Sequence, residues 1–147
     1  MLDFDPVTGQ VQTHSAQRLL AYITTTGLGV DWILETHIHA DHLTAAAWLK
    51  GRLEASGSKP RIGIGRGMLS VQRTFKQKLN LGDEFAADGR EFDVFFDDGA
   101  EITIGHLVGR AMTTPGHTAD SLSYLFGDAA FIGDTLFVPR SGSARCD

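Results

Sequence analysis

Seven consecutive residues, Thr36-His37-Ile38-His39-Ala40-Asp41-His42, hold three histidines and an aspartate. Neutral imidazole and carboxylate are the ligands that zinc, iron and manganese prefer. At ordinary residue frequencies a chance HxHxDH match in such a chain is on the order of 10⁻⁴. On a regular strand His37 and His39 would share one face, and Asp41 and His42 could not both join them. A curled turn removes that restriction. The apolar run Trp32-Ile33-Leu34 before the cluster reads as a buried strand, and Leu43-Thr44-Ala45-Ala46-Ala47-Trp48-Leu49 after it reads as the start of a helix. The cluster therefore falls on a strand-to-helix turn, where side chains can converge on one point.

Two further stretches end strands in polar, glycine-containing turns. Thr114-Pro115-Gly116-His117-Thr118 presents His117, and Gly133-Asp134-Thr135 presents Asp134 where Gly133 permits close backbone approach. Either alone would be weak, since a histidine in a turn is usually solvated. Beside HxHxDH they gain weight, because a site of two histidines would lack ligands. Smaller candidates have two readings each. Arg145 could pair bidentately with a substrate carboxylate or simply be solvated. Cys146 could carry sulfur or be incidental. Thr135 could contact a ligand or cap its turn, and His14 and His106 stand alone.

The elements that must position these residues are legible in the periodicity. Asp3 to Gly9 reads as a turn with no strand before it. Ser15 can cap a helix with Ala16, Leu19, Leu20 and Ile23 on one face, ended by Gly27 and Gly29. Strand Val30–Glu35 follows, then a helix to about Ala55, a short strand Arg61–Ile64, and a helical stripe of Met68, Val71, Phe75 and Leu79 that reads as core-facing. The dipeptides Asp88-Gly89 and Asp98-Gly99 bracket Phe92–Phe96 and open a β-meander. It continues through Glu101–Ile104, Leu107–Thr113, Ser121–Phe126 and Ala129–Ile132. Helices alternating with strands, then a run of strands, give an α/β (α+β) class with helices packed on sheets.

The 147 residues suffice for one modest domain, and 42% hydrophobic with 21% charged residues is an ordinary globular composition. A net charge of −5 argues against nucleic acid or an anionic membrane as partner. No apolar run approaches a membrane span, and Met1-Leu2-Asp3-Phe4-Asp5 opens acidic where a signal peptide would be basic, so a cytoplasmic location is expected. The single cysteine rules out an internal disulfide framework.

HIHADH, TPGHT and GDTLF, in this order and at these separations, resemble the motifs of the metallo-β-lactamase superfamily. Glu35-Thr36-His37, Ala40-Asp41-His42 and the run Gly127 to Phe137 resemble its persulfide dioxygenase branch, and Ala144-Arg145-Cys146-Asp147 resembles a signature of the β-lactamase hydrolase-like proteins. The resemblance implies residues 1–147 as a single partial domain, an αββα sandwich with an incomplete second sheet. Strands that precede Asp3–Val7 in such proteins, and about a half-domain beyond Asp147, are absent here. Pro139 to Ser143 also departs from the branch, where an acidic and aromatic pair is usual.

The implied function is oxidation of glutathione persulfide by O₂ to sulfite and glutathione at one Fe(II). His37, His117 and Asp134 match the iron ligands, and His39, Asp41 and His42 match the positions that complete a binuclear zinc site in hydrolytic relatives. On this reading His39, Asp41 and His42 act beside the iron, where they orient its ligands and tune it. No histidine follows His117, so a second metal could draw only on Asp41, His42 and a bridging Asp134. That favours one metal, although binuclear relatives carry their last histidine in the absent half. The alternatives are a glyoxalase II-type thioester hydrolase with one or two Zn(II), and a metal-binding fragment without a closed pocket. A sheet lacking its flanking strands is expected to favour a homodimer.

Overall fold

Helix-period stripes followed by strand-period runs give the element order β1 (Asp3–Asp5), β2 (Gln10–Gln12), α1 (His14–Thr26), β3 (Trp32–Leu34), α2 (Ala46–Ala55), β4 (Arg61–Gly65), α3 (Met68–Lys78), β5 (Val94–Phe96), β6 (Glu101–Ile104), β7 (Leu107–Thr113), β8 (Leu122–Phe126) and β9 (Ala129–Phe131). A one-turn 3₁₀ helix, Gly133–Thr135, closes the series. The computed structural model describes residues 1–38 and 42–139. It divides into two units, Met1–Ile33 with His39–Ile62 and Leu34–Ile38 with Gly63–Asp147. The described strands form an antiparallel pair β1-β2, a sheet in the order β3-β4-β5, and a sheet in the order β6-β7-β8-β9.

In the first unit the stretch expected to be a bare turn is a hairpin, with Asp3 opposite Gln12 and Asp5 opposite Gln10. Its turn is an Asp5 motif: the carboxylate accepts the Val7 N–H at 2.9 Å and the Thr8 hydroxyl at 2.8 Å. Ser15 does not cap α1. The helix begins at His14, and the Ser15 N–H donates to Asp3 at 2.9 Å, with its hydroxyl on the other Asp3 oxygen. Those bonds hold the Asp3 carboxyl below its usual range, the hydroxyl contributing most. α1 ends as expected, at Gly27 in the left-handed region. α2 starts three residues later than its apolar composition suggested and buries Ala46, Leu49 and Leu53. The Arg61 guanidinium lies 3.7 Å from the centre of the Trp32 ring, a cation–π contact.

In the second unit β4 and β5 run parallel, with Gly63 opposite Val94 and Gly65 opposite Phe96. α3 connects them and buries Met68 and Gln72. Leu79, expected on the core-facing stripe, follows the helix and is 62% exposed. Gln72 ties the following loop instead, accepting the Gly89 N–H at 3.0 Å and donating to Glu91 at 3.1 Å. Phe92–Phe96, expected to open the meander, instead gives β5 to the other sheet beside β4, and β6 to β9 form the antiparallel meander. Its inward residues Ile102, Ala111, Leu122 and Tyr124 are almost fully buried, as are Ile64 and Met68. Gly63 lies so close to the Phe96 ring that a Cβ there would collide with it and press tightly on Leu34.

Tyr124 stands edge-on to Phe96 at 6.0 Å, and its hydroxyl donates to the Glu35 carbonyl at 2.7 Å. Burial, with a smaller contribution from the Glu35 charge, pushes the hydroxyl above the ordinary phenol range. Because the folded value is raised, this contribution to stability is present below the unfolded phenol value of about 10 and is lost as pH rises beyond it. Tyr124→Phe removes the bond and leaves the carbonyl short of a donor. It should cost about 1–3 kcal/mol in urea denaturation at neutral pH and flatten the loss of stability at alkaline pH.

Candidate metal centre

His37 comes from the segment that leaves β3. Its backbone is pinned on both sides: the Glu35 N–H donates to the Gly63 carbonyl at 2.9 Å, and the Leu122 N–H donates to the Thr36 carbonyl at 2.8 Å. One residue on, the Ile38 N–H donates to the Asp120 carboxylate at 3.2 Å. The Thr36 hydroxyl lies 3.0 Å from His37 Nδ1. These bonds leave Nε2 as the ring nitrogen aimed at Asp134.

His117 sits in the loop between β7 and β8. The loop is closed by Thr114 N–H to the Ser121 carbonyl at 2.9 Å and by a 2.7 Å hydroxyl pair, Thr118 with Ser121. Asp134 is the middle residue of the 3₁₀ turn, entered through Gly133 at φ +50°. The Thr135 hydroxyl is 3.2 Å from that of Thr114, which in turn is 3.0 Å from Ser123. Thr135 therefore ties its turn to Thr114, just past the end of β7, a contact that is not the turn cap its sequence suggested.

These three elements bring His37, His117 and Asp134 together. One donor atom from each lies within 4.8 Å of the other two. Asp134 Oδ2 is 3.6 Å from His117 Nε2 and 3.9 Å from His37 Nε2. The imidazoles are perpendicular at 87°, with ring centres 5.0 Å apart. Both rings are buried, while the Asp134 side chain is 36% exposed. A metal bound at about 2.0–2.2 Å from each donor needs neighbouring donors roughly 3–3.5 Å apart, so small side-chain rotations would close the set. Two imidazoles and one carboxylate fit a divalent transition metal and leave positions open for other ligands.

His39, Asp41 and Arg145, together with Cys146, lie outside the described residues. His42 belongs to the first unit and is partly buried. The residues that sequence reasoning passed over are those that fix the ligands. Asp120 is 4% exposed and holds the backbone beside His37; its only signal is an acid in a stretch otherwise small or apolar. Thr36 had a signal in its place directly before a ligand. Tyr124 had none.

With this geometry in hand, the chain can be set beside known proteins. Residues 2–146 match the family model of the metallo-beta-lactamase superfamily. The chain belongs to this superfamily. It is 45% identical over 157 aligned positions to a probable metallo-hydrolase of Burkholderia pseudomallei, covering all of this chain and 52% of that protein. It is 43% identical to a beta-lactamase hydrolase-like protein of Agrobacterium fabrum, covering 99% of this chain and 32% of that one. A hydroxyacylglutathione hydrolase of Rhodopseudomonas palustris is 31% identical, with 90% of this chain and 46% of that protein aligned. Among solved structures, ETHE1 from Myxococcus xanthus superposes with a TM-score of 0.64 at 28% identity, covering 93% of this chain and 52% of that one. The expected mixed α/β fold and the β-lactamase hydrolase-like branch both stand. The chain spans about half the length of these relatives, or less. Among the described residues no helix is long and apolar enough to cross a membrane.

Metal binding to the folded state stabilises it by mass action, by about 2.7 kcal/mol when free metal is a hundredfold above Kd. Zinc or ferrous ion added to the metal-free chain should therefore raise its thermal midpoint, and a chelator should reverse the rise. His117→Ala should unfold at the same temperature with and without metal in differential scanning fluorimetry.

Proposed function

We propose that the chain is a persulfide dioxygenase-like metalloenzyme of this superfamily, holding one Fe(II) through His37, His117 and Asp134. The observation that carries the reading is the two-histidine, one-carboxylate set, in which a part-exposed Asp134 faces two buried imidazoles. The metal supplies a site where substrate sulfur and O₂ meet and electrons pass between them. Overall, glutathione persulfide, O₂ and one water give glutathione, sulfite and two protons. Four electrons leave the outer sulfur and reduce the dioxygen.

The chain's own residues perform the supporting work. His37 and His117, buried and perpendicular, fix two directions of approach and leave a third to Asp134. The partly exposed Asp134 carboxylate offsets the metal's charge. His39 and Asp41 orient the ligands in this reading, and His42 supports them. Arg145 holds a carboxylate of a glutathione-type thiol. The likeness to ETHE1 and to the β-lactamase hydrolase-like proteins supports the branch, and the relative named for hydroxyacylglutathione supports a glutathione-type substrate. In keeping with its composition the protein works in the cytoplasm, without nucleic acid or membrane. It forms a homodimer through the open edges of its sheets, which sedimentation at several concentrations would check.

A second reading has specific support, because two of the relatives are named as hydrolases. There one or two zinc ions, with Asp41 and His42 as further ligands, would activate water against a thioester. Oxygen uptake with glutathione persulfide, set beside hydrolysis of S-lactoylglutathione, separates the two. Metal per chain adds a structural test. The dioxygenase reading expects one metal in the wild type, retained by Asp41→Asn at raised concentration and lost from His37→Ala, His117→Ala and Asp134→Ala. Two metals falling to one in Asp41→Asn would overturn it.

A further inference from the structure

We infer that Thr36 is a positioning residue that sets the tautomer of His37, and that position 133 is glycine in order to leave its hydroxyl room. The inference rests on the reading of His37 as a metal ligand. His37 Nε2 faces Asp134 Oδ2, 3.9 Å away, so Nε2 is the nitrogen that would bind the metal. A neutral imidazole that ligates through Nε2 carries its proton on Nδ1. That N–H needs an acceptor, since the ring is buried. The Thr36 hydroxyl oxygen, 3.0 Å from Nδ1, is that acceptor. If the hydroxyl donated to Nδ1 instead, the proton would reside on Nε2 and block the ligand lone pair.

The second observation comes from the far side of the same hydroxyl. A Cβ placed on Gly133 would collide with Thr36 Oγ1 and would lie 2.9 Å from Thr36 Cβ and 3.1 Å from Cγ2. Gly133 is the residue directly before Asp134. Its missing side chain thus does two things at once. It allows the φ of +50° that turns Asp134 inward, and it lets Thr36 keep the rotamer that meets His37. One ligand's turn accommodates the residue that orients the other ligand.

The test uses the full chain with Thr36→Val, Thr36→Ser and Gly133→Ala. Three readouts are taken: the metal-free thermal midpoint, zinc affinity by chelator competition, and the ¹⁵N shifts of the His37 ring in metal-free protein. Loss of a group that orients a ligand typically weakens metal binding about 10–100-fold. Thr36→Val, nearly the same shape, should fold like the wild type yet bind zinc that much more weakly. Thr36→Ser, which restores the hydroxyl, should bind within a few-fold of wild type. Gly133→Ala should weaken binding in both backgrounds, since it also strains the φ of +50° that turns Asp134 inward, but by less in Thr36→Val, where no hydroxyl is left to displace. The ring shifts should report the Nδ1–H form in wild type and lose that preference in Thr36→Val.

Equal zinc affinity in wild type and Thr36→Val, or a Thr36→Ser variant as weak as Thr36→Val, would overturn the inference. Failure of the wild type to take up any metal would instead sink the metal reading. The ring shifts then still decide the role of Thr36: an Nε2-protonated His37 in wild type would overturn it.

Discussion

The four residues from Glu35 to Ile38 are held by hydrogen bonds from separate places in the fold: the β4 backbone at Gly63, the start of β8 at Leu122, the Tyr124 hydroxyl, and the Asp120 carboxylate. The rest of the second unit depends on this constraint. A half-buried strand end cannot leave its peptide groups unpaired, so each of these bonds answers a need of the backbone itself. Once they are made, the Cα of His37 has little freedom. The imidazole then needs only its Nδ1 contact with Thr36 to be aimed. The ligand's geometry is a by-product of satisfying ordinary peptide groups.

The candidate centre was legible because its chemistry is local. His37, His117 and Asp134 each lie in a turn that announces itself through glycine, proline or an abrupt end to an apolar run. The meander was legible from β6 onward, where Asp98-Gly99 marks its start; Asp88-Gly89 precedes β5, whose parallel partner β4 lies far upstream and leaves no local signal. What was not legible was whatever depends on distant partners. Asp3–Asp5 and Gln10–Gln12 alternate polar and apolar residues over only three positions each, too short a run to signal a strand, and Asp3 to Gly9 reads as a turn. They pair because Asp5 builds the turn and Asp3 is anchored on Ser15 at the head of α1. The same anchor explains why Ser15, a good cap by type, lies inside its helix. Leu79 fits the apolar period of α3, but the helix ends at Lys78, and its side chain turns to solvent. Asp120, an acid in a stretch otherwise small or apolar, and Tyr124, within an expected strand, do not announce their partners; only the folded register sets them against the His37 segment.

Family membership and site geometry meet at the three ligands. The superfamily match runs along almost the whole chain, while the donors of the candidate centre all belong to the second unit. The first unit's hairpin and helices carry none of the three. Its second segment, His39–Ile62, however, lies between His37 and the other two in sequence, so the chain leaves the second unit after Ile38 and returns to it at Gly63.

That excursion bears on how the molecule comes together in time. The bond from Ile38 to Asp120 joins positions 82 residues apart, and that from Tyr124 to Glu35 joins positions 89 apart. Loops of that length close at an entropic cost that must be met before any of these contacts can repay it. Local pieces such as α1 and the β6–β7 hairpin can form early and alone. The His37 segment cannot be clamped until β8, far downstream of it in the chain, has reached it. The pairing of the two imidazoles is thus set only once these long loops have closed, and a metal bound there would latch a structure already built.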